Sequence, residues 1–234
     1  MSKQAEKSRR KLQRQEEERR RDRRMRLIFW GTGALFILIV ALAIIFQPKE
    51  KGVEVDYASL PRLGGENAAV KIVEFGDFKC PSCKYFTEQI EPLLEKDYVE
   101  PGKAAFYFAN FSIISGSKPA ALGAQAAFRQ GDELFWDYYR AVYKHQGDER
   151  TDWATPDGLI DILKQENVAL DYDRLKKDIE EATYENEVDD QYNLAKKAGL
   201  TGTPSLLING KRYDGGLDYN SIKQAIDDAL EAAE

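Results

Sequence analysis

The first 26 residues are almost wholly polar, and then the pattern inverts: Leu27 to Phe46 (LIFWGTGALFILIVALAIIF) runs for 20 residues without a charge. At about 1.5 Å per residue a helix of that length covers about 30 Å of hydrocarbon, so a transmembrane helix is predicted over 27–46. Residues 47–67 hold Pro48, Pro61, Gly64 and Gly65 and keep no sustained period, which reads as a linker with a short ordered end. From Ala68 the pattern alternates. Val70, Ile72 and Glu74 fall on one face, Val73 and Phe75 on the other, and Gly76-Asp77 closes the run. Apolar residues on both faces predict a central strand. A helical period follows from Pro81 through Phe86, Ile90, Leu93 and Leu94, with Pro92 set to kink it or end its first part. A second strand is predicted at Ala104 to Phe111, and then helix follows helix from Lys118 to about Leu200. Strand character returns at Pro204 to Ile208, Asn209-Gly210 makes a hairpin turn into Lys211 to Tyr213, and an amphipathic helix closes the chain from about Asp218.

This order predicts an α/β fold over 68–234: a small mixed sheet with helices on both faces and a helical insertion at about 118–200 between its second and third strands. There is no internal repeat.

Charge sharpens the domain reading. The net of −6 conceals a basic tail, with 12 Lys or Arg against 5 Asp or Glu in residues 1–26, and an acidic remainder. The basic run abutting the apolar one places the N-terminus in the cytoplasm and everything after Phe46 outside. Ala41-Leu42-Ala43 resembles a signal-peptide cleavage site, but it lies within an apolar run longer than the usual 7 to 15 residues, which favours a retained anchor. The tail's position makes it a topology signal, and no nucleic-acid partner is expected.

The only two cysteines stand as Cys80-Pro81-Ser82-Cys83 where a strand hands over to a helix. Zinc needs four ligands, and with His145 as the sole histidine no metal is expected. An inert bridge over so short a loop would restrain little of the unfolded chain. Buried inert thiols fit poorly with an exposed helix end. A redox pair explains the spacing. With Cys80 at the N-cap, Pro81 falls at N1, where it needs no N–H, and the free N–H groups of Ser82 and Cys83 point at the Cys80 sulfur. The helix dipole is worth about 0.3 to 2 kcal/mol and each charged hydrogen bond about 1.5 to 3, against about 1.36 per pKa unit. A thiolate pKa lowered by several units follows, and a stabilised thiolate makes the disulfide a stronger oxidant.

Glu74 to Cys83 (EFGDFKCPSC), together with the distant Gly202-Thr203-Pro204, resembles the DsbA family of thioredoxin-fold oxidases, most closely its membrane-anchored BdbD type. The resemblance covers about Val53 to Glu234. It implies a thioredoxin-like fold with an inserted helical domain, Cys80 as exposed nucleophile, Cys83 as resolving thiol, and Glu74 as a buried acid that moves protons. It also implies that Thr203-Pro204 is a cis-proline turn facing the disulfide, where an extended substrate pairs with the Thr203 backbone. The activity implied is oxidation of cysteine pairs in reduced exported proteins, with no cofactor besides the Cys80–Cys83 disulfide and with reoxidation by a quinone-linked membrane protein. Ser82 departs from the family, many of whose members carry a charged-capable His there. Lys79 and Lys84 flank the site as screened surface charges. Two other readings stay open at this point: a disulfide reductase or isomerase, and a non-catalytic thioredoxin-fold binding module. His145 is given no role. The acidic stretch Glu180 to Asp190 lacks the ligand spacing of a Ca²⁺ loop and reads as a solvated helix face.

Overall fold

Strand β2, Val70–Gly76, is buried at every position except Lys71, which is half-buried, so it takes the middle of the sheet. It runs parallel to β3, Ala104–Asn110, in register from Val70 against Ala104 to Gly76 against Asn110. On its other side it pairs antiparallel with β4, Ser205–Ile208, with Phe75 opposite Ser205 and Ile72 opposite Ile208. Two-residue strands β1, Arg62–Leu63, and β5, Lys211–Arg212, close the edges in the order β1-β3-β2-β4-β5. The computed structural model describes residues 52–233 and, before them, only Met25, Phe29, Trp30, Thr32, Gly33, Leu38 and Ile39. Apart from those scattered positions, the predicted basic tail and membrane span lie outside the described residues. Among the described residues no helix is long and apolar enough to cross a membrane.

The helices are α1, Pro81–Gln89; α2, Glu91–Leu94; α3, Lys118–Phe128; α4, Asp132–Lys144; α5, Pro156–Gln165; α6, Tyr172–Glu180; α7, Glu185–Lys197; and α8, Tyr219–Glu231. The break between α1 and α2 falls at Ile90, with Pro92 in the first turn of α2, and a π-helical turn at Glu95–Val99 follows. Local chemistry sets several starts. Thr155 accepts from Gly158 N at 3.1 Å ahead of Pro156 at N1 of α5, and Asp171 and Asp218 cap α6 and α8 in the same way. Helices α3 to α7 form the predicted insertion between β3 and β4.

The sheet's two faces bury different sets. Val73, Phe75, Tyr107 and Leu207 pack with Ala195 and Leu200. Val70 and Ile72 pack under α1 with Phe86, Cys80, Cys83 and an aromatic group from α4. Phe78, from the turn before α1, stacks on Tyr143 of that group at 4.9 Å between centroids and meets Tyr138 edge-on at 5.6 Å. Such pairs are worth about 0.5 to 1.5 kcal/mol beyond their buried area. Gly76 sits where this packing is tightest: a Cβ there would lie 2.5 Å from the Phe108 ring.

One predicted boundary is corrected. The linker over 47–67 is too long, because the fold begins by residue 53 and not at Ala68. Val53 N donates to Gly210 O at 2.8 Å, Leu60 is buried, and β1 pairs with β3. Trp136 Nε1 adds a bond to Arg62 O at 3.1 Å. A two-residue strand among prolines and glycines has no alternation to detect.

Candidate active site

The end of β2 delivers the chain into a tight turn at 77–79 and then into α1, with Cys80 as an extended N-cap (φ −77°, ψ 120°) and Pro81 at N1. The amides of Cys83 and Lys84 donate to Cys80 O at 3.1 and 3.2 Å, which starts the helix on the cysteine itself. Both cysteines are free thiols. Cys80 is less open than expected, with 7% of its surface exposed, and Cys83 has none. Pro81 and Ser82 are exposed beside them.

The two sulfurs differ sharply. Cys80 is lowered to about 6, first because the Cys83 thiol donates to it. The Thr203 side chain and the amides of Cys83 and Ser82 add to this, against burial, which raises it. Cys83 is pushed well up by burial, by that donated bond and by the nearby Glu74 and Cys80 charges. As a neutral thiol Cys80 donates to Thr203 O at 3.3 Å, a bond its thiolate gives up. The Thr203–Pro204 peptide is cis, and it enters β4 directly against the sulfur.

Glu74 lies beneath this pair on the Val70–Ile72 face of β2, fully buried. Its Oε2 accepts from Tyr139 Oη at 2.7 Å, and Tyr139 Oη in turn accepts from Thr87 Oγ1 at 2.8 Å. Its Oε1 has no hydrogen-bond partner. Burial pushes Glu74 up to about 8; the Tyr139 bond partly offsets this, and the Glu91 and Cys80 charges add to it.

Three residues that hold the site escaped the sequence reading. Asp77 organises the turn: Oδ1 accepts from Lys79 N at 2.8 Å, and Oδ2 accepts from the amides of Ile113 and Ile114 at 2.8 Å and from Ser117 Oγ at 2.9 Å. Lys79 is corrected from surface charge to buried latch, with 1% exposed and its Nζ donating to Ser115 O at 2.7 Å. Gln146 reaches in from the end of α4, and its Nε2 donates to Phe78 O at 2.8 Å and Cys80 O at 3.0 Å. Apart from the Lys79 amide on Asp77, the partners of Asp77 and Lys79 lie 36 or more residues away, so no local motif marks them. Lys84 is partly exposed and donates to Lys144 O at 3.0 Å. His145 caps α4 and pairs with Glu166 at 2.6 Å. In the acidic stretch, Glu185 and Asp189 pair with Lys118, and Glu187 pairs with Arg129.

A sulfur with a stabilised thiolate, a buried second thiol held neutral and a buried carboxyl raised to about 8 below them are suited to reversible thiol–disulfide exchange. Residues 59–228 match the family model described as thioredoxin. A probable disulfide bond formation protein D from Bacillus cereus is 36% identical over 203 residues, covering 84% of this chain and 92% of that protein. Disulfide bond formation protein D from Bacillus subtilis is 33% identical over 189 residues, covering 80% of this chain and 82% of that one. The crystal structure of oxidised BdbD from Bacillus subtilis superposes with a TM-score of 0.72 at 31% identity, covering 77% of this chain and 97% of that structure.

Proposed function

The chain belongs to the thioredoxin family as a thiol-disulfide oxidoreductase of its disulfide-forming branch, and from that premise we propose that Cys80 and Cys83 carry the reaction as a dithiol oxidase. In the disulfide form, a substrate thiolate attacks Cys80 Sγ and expels the Cys83 sulfur. A second substrate thiolate then attacks the substrate sulfur of the mixed disulfide and expels Cys80 as a thiolate, leaving substrate oxidised and enzyme reduced. The carrying observation is the asymmetry of the two sulfurs: Cys80 is lowered to about 6 while buried Cys83 is raised. A good leaving thiolate at Cys80 drives resolution toward oxidised substrate.

The other assignments belong to the same proposal. Glu74, neutral and buried, supplies the proton that Cys83 takes as it leaves. Thr203 and cis Pro204 face the sulfur and offer backbone for an extended substrate strand, with Pro81 and Ser82 as the exposed rim. The uncharged run 27–46 behind its basic tail supports a single-pass anchor with the catalytic domain outside the cell, acting on reduced exported proteins. Family membership supports reoxidation by a quinone-linked membrane partner. The test is trapping. Cys83→Ala should accumulate mixed disulfides through Cys80 with a reduced secreted substrate, and Cys80→Ser should form none. Adducts on Cys83, or activity in both variants, would refute the roles.

A further inference from the structure

Cys80 precedes a proline, and a residue in that place is pushed out of the helical region into extended backbone, with ψ anywhere from about +120 to +160°. Pro81 therefore makes Cys80 an N-cap without choosing its angle. The angle matters because ψ of Cys80 is the bond about which α1 turns relative to the Cys80 sulfur. A swing across the allowed range carries the Ser82 and Cys83 amides out of hydrogen-bond reach of that sulfur. In the disulfide form the closed ring through Cys83 restrains the angle. The dithiol form, with two free thiols, has no such ring and needs a restraint from outside.

Gln146 supplies one. Its Nε2 donates to Phe78 O at 2.8 Å and to Cys80 O at 3.0 Å. Phe78 O lies before the hinge and Cys80 O after it, so a single carboxamide spans the bond and holds ψ at 120°. The amides of Cys83 and Lys84 also donate to Cys80 O, but they belong to α1 and turn with it. Asp77 and Lys79 fix the turn, yet both stand before the hinge. Among the described residues no other side chain bonds to the Cys80 backbone. Gln146 is itself anchored by the helical insertion: its amide donates to Tyr143 O at 3.2 Å, and Tyr143 stacks on Phe78. Trp153 closes over the next residue, Gly147, where a Cβ would lie 2.7 Å from its ring. We propose that Gln146 is a positioning residue for the redox reaction: its carboxamide bridges the Cys80 hinge and holds the dithiol sulfur over the start of α1, so that the insertion sets the oxidising strength of the site. The inference rests on the reading of Cys80 as the nucleophile. Gln146 acts through the Cys80 backbone, and the restraint counts most where the disulfide ring is open.

The experiment compares the full-length protein in detergent with Gln146→Met, which keeps the length of the side chain and removes both donors. Gln146 is half-buried, so the change leaves the core intact. Two readouts are taken: the pH dependence of Cys80 alkylation in the dithiol form, and the equilibrium of the disulfide with a glutathione buffer. The wild-type alkylation midpoint is expected at about 6. In Gln146→Met it should rise by about one pH unit, the worth of one charge-assisted hydrogen bond, and slow alkylation at about pH 6 about fivefold. The same change should move the glutathione equilibrium at about pH 7 about fivefold toward the disulfide, or about 20 mV at about 30 mV per tenfold. A residue that only supported the fold would weaken the dithiol and disulfide forms equally in urea unfolding. Equal weakening with an unmoved or lowered midpoint refutes the proposal and leaves the nucleophile reading standing. Should Gln146→Met not fold, Gln146→Asn, which holds the donors one methylene short, decides by the same two readouts. A wild-type midpoint near the ordinary 9 would overturn the nucleophile reading, and the inference with it.

Discussion

Replacing Glu74 with Gln should flatten the pH dependence of the fold's stability, and the size of the effect follows from the site. Glu74 titrates at 4.5 when exposed and at about 8 in the folded dithiol form, where burial is the main cause. A carboxyl whose folded pKa is raised gives stability that is complete below its unfolded pKa and is lost as pH rises through the folded one. At about 1.36 kcal/mol per unit, the loss between about pH 5 and about pH 8 comes to about 3 kcal/mol. Gln retains the acceptor for Tyr139 and has no charge to bury. Urea unfolding of the reduced full-length protein and of Glu74→Gln, each at about pH 5 and about pH 8, isolates the term, since other titrating groups cancel in the double difference. The wild type should lose about 3 kcal/mol more than the variant over that range. Parallel losses in the two proteins would mean that Glu74 ionises without penalty, and the proton-donor role would lose its basis.

Other perturbations test neighbouring parts of the site. Cys83→Ala removes the largest cause of the low Cys80 pKa, so the midpoint of Cys80 alkylation should move up from about 6, and an unmoved midpoint would assign that stabilisation to the amides and Thr203 alone. Asp77→Ala strips the acceptor from three amides and Ser117, and should cost about 3 kcal/mol in urea unfolding; a loss within about 0.5 would deny it the turn. Ser82→His adds a chargeable donor on the exposed rim and should raise the disulfide's reduction potential by about 30 mV, equivalent to about 1.4 kcal/mol; a fall in potential would reverse that argument.

Much of this was legible in the chain because the relevant rules are local. The alternation at Val70–Phe75 marked the central strand, and Cys80 before Pro81 marked a helix start with a thiol at its N-cap. The Asn209-Gly210 hairpin and the helical insertion were marked equally well, by turn chemistry and by helical period. What failed was non-local. Lys79 reads as a surface charge until the 113–117 loop folds over it and offers the Ser115 carbonyl. β1 belongs to the sheet only because β3 is there to receive it, and Leu60 is buried in the cluster that Val73, Phe75 and Tyr107 form. Glu91 looks like any acid near a helix start, yet it is buried, with Arg140, nearly 50 residues on, at 3.6 Å. Cys80 illustrates both sides: its capping position was readable, whereas its cover by Thr203 arises from a contact 123 residues away.

The most direct measurement is the equilibrium of the Cys80–Cys83 disulfide with a glutathione buffer in the full-length protein at neutral pH. Cys80 is lowered from 9 to about 6, and at neutral pH, about one unit above the lowered value, that is worth about 1.4 kcal/mol. At about 1.4 kcal/mol per 30 mV, that is about 30 mV in favour of the dithiol. A potential nearer about −120 than about −270 mV is the expected result for a dithiol oxidase. A value near or below about −270 mV would show a disulfide too stable to be passed on to substrates, and would contradict the oxidase reading.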